Sequence, residues 1–371
     1  MRKIMFHLNC LEQGGAERVV SNLANQFAKE NDEIIVATEW QGENEFELDA
    51  SIRRIHVGLR ESDEKKPWLT KFLLRVKYLR DLLKTEQPDV LIAFAQRANY
   101  RALMAARGTK VPVIISIRTD PVGHYDALSD RLQIPVLFPR AAGCVFQTEG
   151  QRSFFPKYLQ DKSIIILNPV HDKYIEMPKP EQREKIVVQS GRLVDFKNQP
   201  MLIRAFIQVH QKHPDYVLKI YGGDSCDGTK EILEKIITEN QAQDYVKLMG
   251  ASDSLEKELS NAAVYAFSSD WEGLPNALLE AMALGLAIVA TDCPCGGPRT
   301  VMTDGVDGLL IPICDEQAMA DGICRLIEDP ALAERLGDNA RKIEARTNSK
   351  AIIKQWRDYI ENVISSNKNK R

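Results

Sequence analysis

KIVVQSGRLVDFKNQPMLIRAFIQVHQKHPDYVLKIYGG, residues 185–223, decides the architecture. An apolar run at 186–190 reads as a buried strand, a helical pattern covers 199–212, and a second strand follows at 216–221. Strand, helix, strand at this spacing is a βαβ unit, and its two strands lie parallel in one sheet. The rhythm continues toward the C-terminus with strands at 245–249, 263–267, 286–290 and 308–311. Helices fit at 228–240, 254–261, 275–284, 315–328, 331–346 and 349–364.

The first half carries the same alternation. Strands are predicted at 3–9, 33–39, 52–57, 89–94, 112–117, 142–147 and 163–167, with helices near 15–30, 67–86, 97–107, 126–139 and 149–158. Between the halves the pattern breaks, with Asn168-Pro169, Pro178 and Pro180 set among charged residues, which reads as a linker over 169–185. The expected organisation is an α/β chain of two doubly wound domains, 1–168 and 186–347, facing across a cleft, with 348–371 as a terminal helix and polar tail that returns toward the first domain. In such sheets ligands bind outside the carboxyl ends of the strands.

Composition fits a folded two-domain enzyme. Of 371 residues, 44% are hydrophobic and 27% charged, which excludes a disordered or fibrous chain. Lys plus Arg number 49 against 52 acids, so net charge gives no argument for nucleic acid. Seven cysteines, an odd number without C-x-x-C, point to a reducing compartment. The N-terminus reads as a first strand, no run approaches the roughly 20 apolar residues of a membrane span, and a cytoplasmic location is expected.

Three stretches carry chemistry. Gly14-Gly15-Ala16-Glu17-Arg18 follows the first strand and opens a helix; paired glycines let backbone approach a ligand, and the helix N-terminus offers N–H groups to an anion, although a bare strand-to-helix turn looks the same. Gly191 to Asn198 puts Arg192 and Lys197 in the loop at the end of the second half's first strand. Two cations there suit a diphosphate, and the plainer reading is a solvated loop salt-bridged to Asp195. The sharpest stretch runs from Asp270 to Gly285: Glu280 is the only charge between Ala277 and Ala290, in a run apolar all round. A buried carboxylate needs a polar partner, either ligand hydroxyls or a core Arg or Lys. Glu272 lies eight residues earlier, so both carboxylates can face one cleft.

In order and spacing these pieces resemble the retaining nucleotide-sugar glycosyltransferases of family 4, which have the two-Rossmann GT-B fold. The likeness rests on Gly14–Arg18, Ser190-Gly191-Arg192 with Lys197, and the two glutamates, supported by Gln147-Thr148-Glu149, Leu167-Asn168-Pro169-Val170 and Asp304–Leu310. The resemblance implies that Gly14 and Gly15 contact donor phosphate and that Arg192 and Lys197 neutralise the diphosphate. It implies that Glu280 binds the ribose, while Glu272 with Gly273, Leu274, Pro275 and Asn276 holds the sugar. Where family members often carry a histidine near the sugar, this chain has Ile117-Arg118-Thr119-Asp120-Pro121; Arg118, Asp120 and the nearby His124 are therefore expected beside sugar or acceptor. No D-x-D occurs, so no metal and no cofactor is expected.

The implied activity transfers a hexose or N-acetylhexosamine from a nucleotide diphosphate, UDP by preference, to a glycan or polyprenyl-diphosphate-linked acceptor in bacterial surface-glycan assembly, with retention. A nucleotide-sugar 2-epimerase of the same fold and a non-catalytic sugar-nucleotide-binding subunit are the alternatives. Residues 65–84 hold seven basic side chains against Asp81, around the apolar stripe Trp68, Leu69, Phe72, Leu73, Val76, Leu79 and Leu83. This is either a crossover helix packed on the sheet or a basic amphipathic helix touching an anionic membrane. His210 with His213, and Cys293 with Cys295, read as structural.

Overall fold

A computed structural model describes residues 1–12 and 14–368. The chain divides into two compact units, Met1–Ile166 together with the residues from Ile352 onward, and Leu167–Ala351.

The first unit is built on a parallel sheet of seven strands: β1 (Lys3–Leu8), β2 (Glu33–Thr38), β3 (Arg53–His56), β4 (Val90–Phe94), β5 (Val113–Ser116), β6 (Gly143–Phe146) and β7 (Ser163–Ile165). Their order is β3-β2-β1-β4-β5-β6-β7. β1, β4, β5 and β6 are buried almost throughout, as expected of strands covered by helices on both faces. The second unit repeats the plan with β8 (Glu184–Ser190), β9 (Val217–Tyr221), β10 (Val246–Gly250), β11 (Ala262–Phe267), β12 (Ala287–Thr291) and β13 (Leu309–Ile311). Here the order is β10-β9-β8-β11-β12-β13. In both units the first strand sits in mid-sheet and the chain leaves it first to one side and then to the other.

Every strand read from the sequence is present, to within two residues at either end. Three helices differ: 331–346 divides into Pro330–Arg341 and Glu344–Thr347, and the other two differ in a way the sequence explains. The stretch 126–139 is a helix only over Leu128–Leu137 before a turn at Phe138–Arg140, and 149–158 is broken by Pro156 into Glu149–Phe154 and Lys157–Gln160.

The expected linker over 169–185 is not one. It belongs to the second unit, contains a short helix (Asp172–Ile175), and is tied down along its length. The Val170 N–H donates to the Thr347 carbonyl at 3.0 Å, and Lys173 pairs with Glu256 at 2.7 Å. The Arg183 guanidinium donates to the carbonyls of Ser260, Ala262, Leu284 and Gly285. Prolines and charges suggest solvent, but here long cationic side chains satisfy strand-end and helix-end carbonyls that would otherwise need water.

The terminal helix Ser349–Lys368 crosses into the first unit and completes its core. Trp356 is fully buried and stacks on Phe94 with ring centroids 5.7 Å apart. The Tyr359 hydroxyl donates to the Lys162 carbonyl (2.5 Å) and accepts from the Cys144 N–H (2.8 Å), clipping the helix to the edge of β6. Trp356→Ala should therefore cost about 3–5 kcal/mol of unfolding free energy. Tyr359→Phe removes a hydroxyl shared by the Cys144 N–H and the Lys162 carbonyl, which still bond to each other at 3.3 Å, so it should cost only about 0.5–1.5 kcal/mol in urea titration.

Candidate functional site

In the second unit the candidate residues gather at the carboxyl ends of two adjacent strands, β8 and β11. β8 ends at Ser190. Gly191 follows with φ +148° and donates its N–H to the Tyr221 carbonyl, while a side chain at Gly222 would overlap the Gly191 carbonyl. The two glycines thus let the loops after β8 and β9 run in contact. One helical turn, Asp195–Lys197, then aims Lys197 back over β8, and Asn198 caps the helix Gln199–Lys212 by accepting from the Met201 N–H.

Lys197 forms an ion pair with Glu272, which comes from the loop after β11, and both side chains are mostly buried. Ser269 donates to the same Glu272 oxygen at 3.3 Å. The loop is anchored from below. Ser268 donates to the Lys197 carbonyl (2.7 Å), Thr291 donates to the Ser269 carbonyl (2.6 Å), and Asn198 donates to the Asp270 carboxylate (2.8 Å). Trp271 stacks on Phe196 with centroids 4.2 Å apart. Burial beside Glu272 pushes the Cys293 thiol up to about 12, so it stays protonated and donates to the Ser269 carbonyl. That is a structural role, as is the sequence reading of the Cys293–Cys295 stretch.

Arg192 differs from Lys197. Its side chain is exposed, and among the described residues its guanidinium has no carboxylate partner; Asp195, its expected partner, does not pair with it. Only its backbone carbonyl is engaged, by Gln199.

Pro275 precedes the helix Asn276–Ala283. Asn168 holds this turn, donating to the Leu274 carbonyl (3.3 Å) and the Asn276 side chain (2.6 Å). A side chain at Gly297 would overlap the Gly273 carbonyl, so the start of the helix Gly297–Val301 lies against the Gly273–Pro275 turn. Glu280 is buried one turn into its helix, and its charge, after burial itself, helps to raise the pKa of the enclosed Tyr265 phenol. The arrangement is one exposed cation, one buried ion pair and two helix N-termini around a strand-end loop, chemistry suited to a phosphorylated ligand.

In the first unit Gly14 is the extended residue before the helix Gly15–Lys29, and the Glu17 carboxylate folds back over it. Arg118 turns onto aromatic rings, 4.9 Å from the Phe94 centroid and 5.5 Å from that of Trp356, and donates to Ser116 at 2.7 Å. Asp120 caps a short helix, Pro121–Tyr125, by accepting from the Val122 N–H, and His124 Nδ1 lies 3.1 Å from the Thr119 hydroxyl. Each of the three has a local structural bond, and spacing alone did not reveal those partners.

Sequence reasoning missed a charged cluster at the ends of β1 and β2. Glu39 is buried between Arg101 and Arg75 (3.3 Å); Arg101 also reaches Asn9 at 2.5 Å. His7 lies within β1 with Nδ1 3.0 Å from the Ala37 carbonyl and Nε2 4.0 Å from Glu39. Asn9, Glu39, Arg75, Arg97 and Arg101 border a cavity of about 600 Å³ together with Trp40 and Trp68. The signal available was Glu39 itself, an acid ending an otherwise apolar strand.

Elsewhere, His210 stacks on Tyr245 at 3.6 Å, whereas His213 meets Glu328 at 3.1 Å, so the two do not share a ligand face. The ligand atoms of His213, Cys324 and Glu328 lie within 4.8 Å of one another, an approach the His213–Glu328 bond accounts for.

Comparison with known proteins decides the family. A profile described as "Glycosyl transferases group 1" matches residues 171–343, and one described as "Glycosyltransferase Family 4" matches 13–172. The chain belongs to the family 4 glycosyltransferases. It is 28% identical, over 98% of its length and all of the relative, to the Campylobacter jejuni N-acetylgalactosamine-N,N'-diacetylbacillosaminyl-diphospho-undecaprenol 4-alpha-N-acetylgalactosaminyltransferase. A second C. jejuni relative, an alpha-1,4-N-acetyl-D-galactosaminyltransferase acting on a GalNAc-containing diNAcBac-PP-undecaprenol, is 24% identical over 98% of this chain and 99% of its own. Among solved structures, Anabaena HepE in complex with UDP and glucose superposes with a TM-score of 0.81 at 19% identity, covering 97% of this chain and all of that one. The fold is GT-B, with two Rossmann-like units.

Two tests address the geometry. Lys197→Met leaves Glu272 without its cation in a largely dry loop and should cost about 1–3 kcal/mol, most of it recovered when Glu272→Gln is added; a double-mutant cycle in urea reads the coupling. Burial, and then the Arg101 charge, push His7 down to about 3. A depressed folded pKa gives stability that is complete above the ordinary imidazole value near 6.5 and is lost as pH falls through the window toward 3. Between pH 7 and pH 5 this amounts to about 2 kcal/mol, and His7→Gln should flatten that part of the profile.

Proposed function

We propose that this glycosyltransferase moves an N-acetylhexosamine or hexose from a UDP-sugar to a polyprenyl-diphosphate-linked or glycan acceptor in bacterial surface-glycan assembly, with retention of configuration and without a metal. The observation that carries the reading is the pairing of an exposed, carboxylate-free Arg192 with the largely buried Lys197–Glu272 ion pair, at the ends of adjacent strands. The C. jejuni relatives, named for undecaprenyl-diphosphate acceptors and N-acetylgalactosaminyl transfer, support the acceptor and sugar class. HepE, solved with UDP, supports the base.

In this reading the bond between the anomeric carbon and the β-phosphate oxygen breaks as the acceptor hydroxyl oxygen bonds to the same face of that carbon and passes its proton to the departing diphosphate oxygen. Negative charge grows on the departing diphosphate. Arg192 and Lys197 are the fixed cations that would stabilise it, and preorganised cations need no reorientation as that charge develops. Glu272 would turn an oxygen to the sugar while its ion pair holds the loop, and Glu280 would accept from the ribose hydroxyls. Gly14 and Gly15 would give backbone contacts to donor phosphate, with Arg118, Asp120 and His124 on the sugar or acceptor side. Among the described residues no helix is long and apolar enough to cross a membrane; work at the inner face of the membrane would come from peripheral contact.

A thermal-shift series with UDP, GDP, ADP and their sugar conjugates in EDTA tests the donor. At about a hundredfold over its dissociation constant the right nucleotide should stabilise the fold by roughly 2.7 kcal/mol. Arg192→Ala should leave unliganded stability within ~0.5 kcal/mol, since among the described residues its exposed guanidinium has no carboxylate partner, yet lower nucleotide affinity at least tenfold. A shift with product formed only when acceptor is present separates transfer from 2-epimerisation. A shift with no product either way would favour a binding subunit, and no shift with any nucleotide would overturn the donor assignment.

A further inference from the structure

Ligand crevices in a parallel sheet open at the carboxyl ends of its strands, and the opposite edge is left to connecting turns. In the first unit that opposite edge holds a cavity of about 510 Å³, where the chain enters β5 and β6. The loop after helix Gln96–Ala105 forms one wall and the turn Phe138–Arg140 another. The terminal helix closes it with Val363, Ser366 and Asn367. All three walls belong to the first unit, and no residue assigned above to donor, sugar or acceptor lines the cavity.

The carbonyls at a helix end carry partial negative charge and ordinarily draw a cation. Here both sets are already covered by cations reaching in from elsewhere. Arg80 donates to the carbonyls of Met104 (2.7 Å) and Ala105 (3.2 Å), which end the first helix. Lys162 donates to those of Phe138, Pro139 and Ala141 around the turn, at 3.4, 2.9 and 2.6 Å. With the negative ends taken, the charges left around the cavity are all positive. Arg107, Lys110 and Arg140 join Lys162, and among the described residues that line it none is acidic. Neither the Arg107 nor the Arg140 guanidinium pairs with a carboxylate among the described residues. Four cations gathered in one concavity repel one another, and the lining supplies no counter-charge.

The shape limits what could supply it. Three buried aliphatics, Leu103, Val113 and Val363, make a dry floor, while the Ser366 and Asn367 side chains bond to nothing among the described residues and are open to an acceptor. The volume lies within the roughly 300–1,000 Å³ of small-molecule sites. A single small anion would engage one guanidinium, whereas linked phosphates present several separated charges to two planar forks and two ammonium groups at once.

We infer that this cavity is a second anion site, for a small soluble compound bearing two or more linked phosphates. Arg107 and Arg140 grip it as forks, Lys110 and Lys162 act as point charges, and Ser366 and Asn367 donate from the terminal helix. The inference goes beyond the transfer reaction and does not rest on it, because binding here is read without donor or acceptor.

Calorimetric titration of the full chain with inorganic triphosphate in EDTA is the test. A binding event should appear that persists in Arg192→Ala and weakens about tenfold or more in Arg107→Glu with Arg140→Glu. Sulfate should bind about tenfold more weakly than triphosphate, since it offers one charge centre in place of three. Circular dichroism melts check the fold, and Arg107→Gln with Arg140→Gln gives the same readout if the reversed charges prevent folding. Absence of triphosphate binding overturns the inference. So does binding that is lost in Arg192→Ala but kept in the arginine pair, which would place the ligand in the β8–β11 crevice. Equal affinity for sulfate would mean adventitious screening of surface charge only, and phosphatidylglycerol vesicles that bind through the arginine pair without competition from triphosphate would mean a lipid surface; either result overturns a soluble polyphosphate site. The arginine pair should leave the UDP-induced thermal shift unchanged, so failure of the donor reading and failure of this one are separate results.

Discussion

Everything at the candidate site depends on the reversal of strand order between β8 and β11. These neighbours are both parallel and central, yet the chain leaves β8 toward β9 and returns through β11 toward β12. Loops that diverge from adjacent strand ends leave a crevice no other place in such a sheet provides. Lys197 comes from one loop and Glu272 from the other, so their ion pair spans the crevice, beside the Ser268–Lys197 and Asn198–Asp270 hydrogen bonds that join the same loops. The same reversal occurs between β1 and β4 in the first unit, with Asn9 beyond one strand and Arg101 on the helix after the other, joined by a hydrogen bond.

The two crevices solve a common electrostatic problem differently. A cation held at a strand end must be neutralised or left in water, because desolvating it unpaired costs several kcal/mol. In the first unit Glu39 takes both Arg75 and Arg101, and burial raises the Glu39 pKa against the pull of those cations. In the second unit Glu272 takes Lys197, and Arg192 is left exposed. On the proposed reading a diphosphate would meet the exposed Arg192 directly, and Lys197 as a cation already held in place by the Glu272 ion pair that fixes the loop.

Legibility in the sequence followed the same physics. The central strands were legible because parallel strands buried on both faces read as continuous apolar segments, whereas the more exposed β3, β7 and β10 were placed by the alternation of strand and helix around them. The loop residues of the second unit were legible because charges at strand ends are few and conspicuous. Asn168 belonged to a stretch singled out by resemblance, but its bonds to Leu274 and Asn276 join residues more than a hundred positions apart, which no local pattern encodes. The segment 169–185 misled for a related reason. Its composition is that of a solvated connector, and what fixes it is Arg183 reaching four backbone carbonyls, an acceptor set invisible in side-chain sequence. Asp120 shows the converse, since an Asp before a Pro is as good a helix cap as a ligand, and here it caps.

Arg118 sets the limit of residue-by-residue transfer from a family pattern. Its guanidinium stacks against Phe94 and Trp356, and Trp356 comes from the terminal helix, more than two hundred residues away in the chain. The ring that flanks Arg118 is thus the ring that completes the core of the first unit. An arginine so held is stiff, since stacking fixes the guanidinium plane and Ser116 takes its Nε. If that charge acts on a sugar, it acts from a position set by core packing, and the terminal helix becomes part of the site by way of the core.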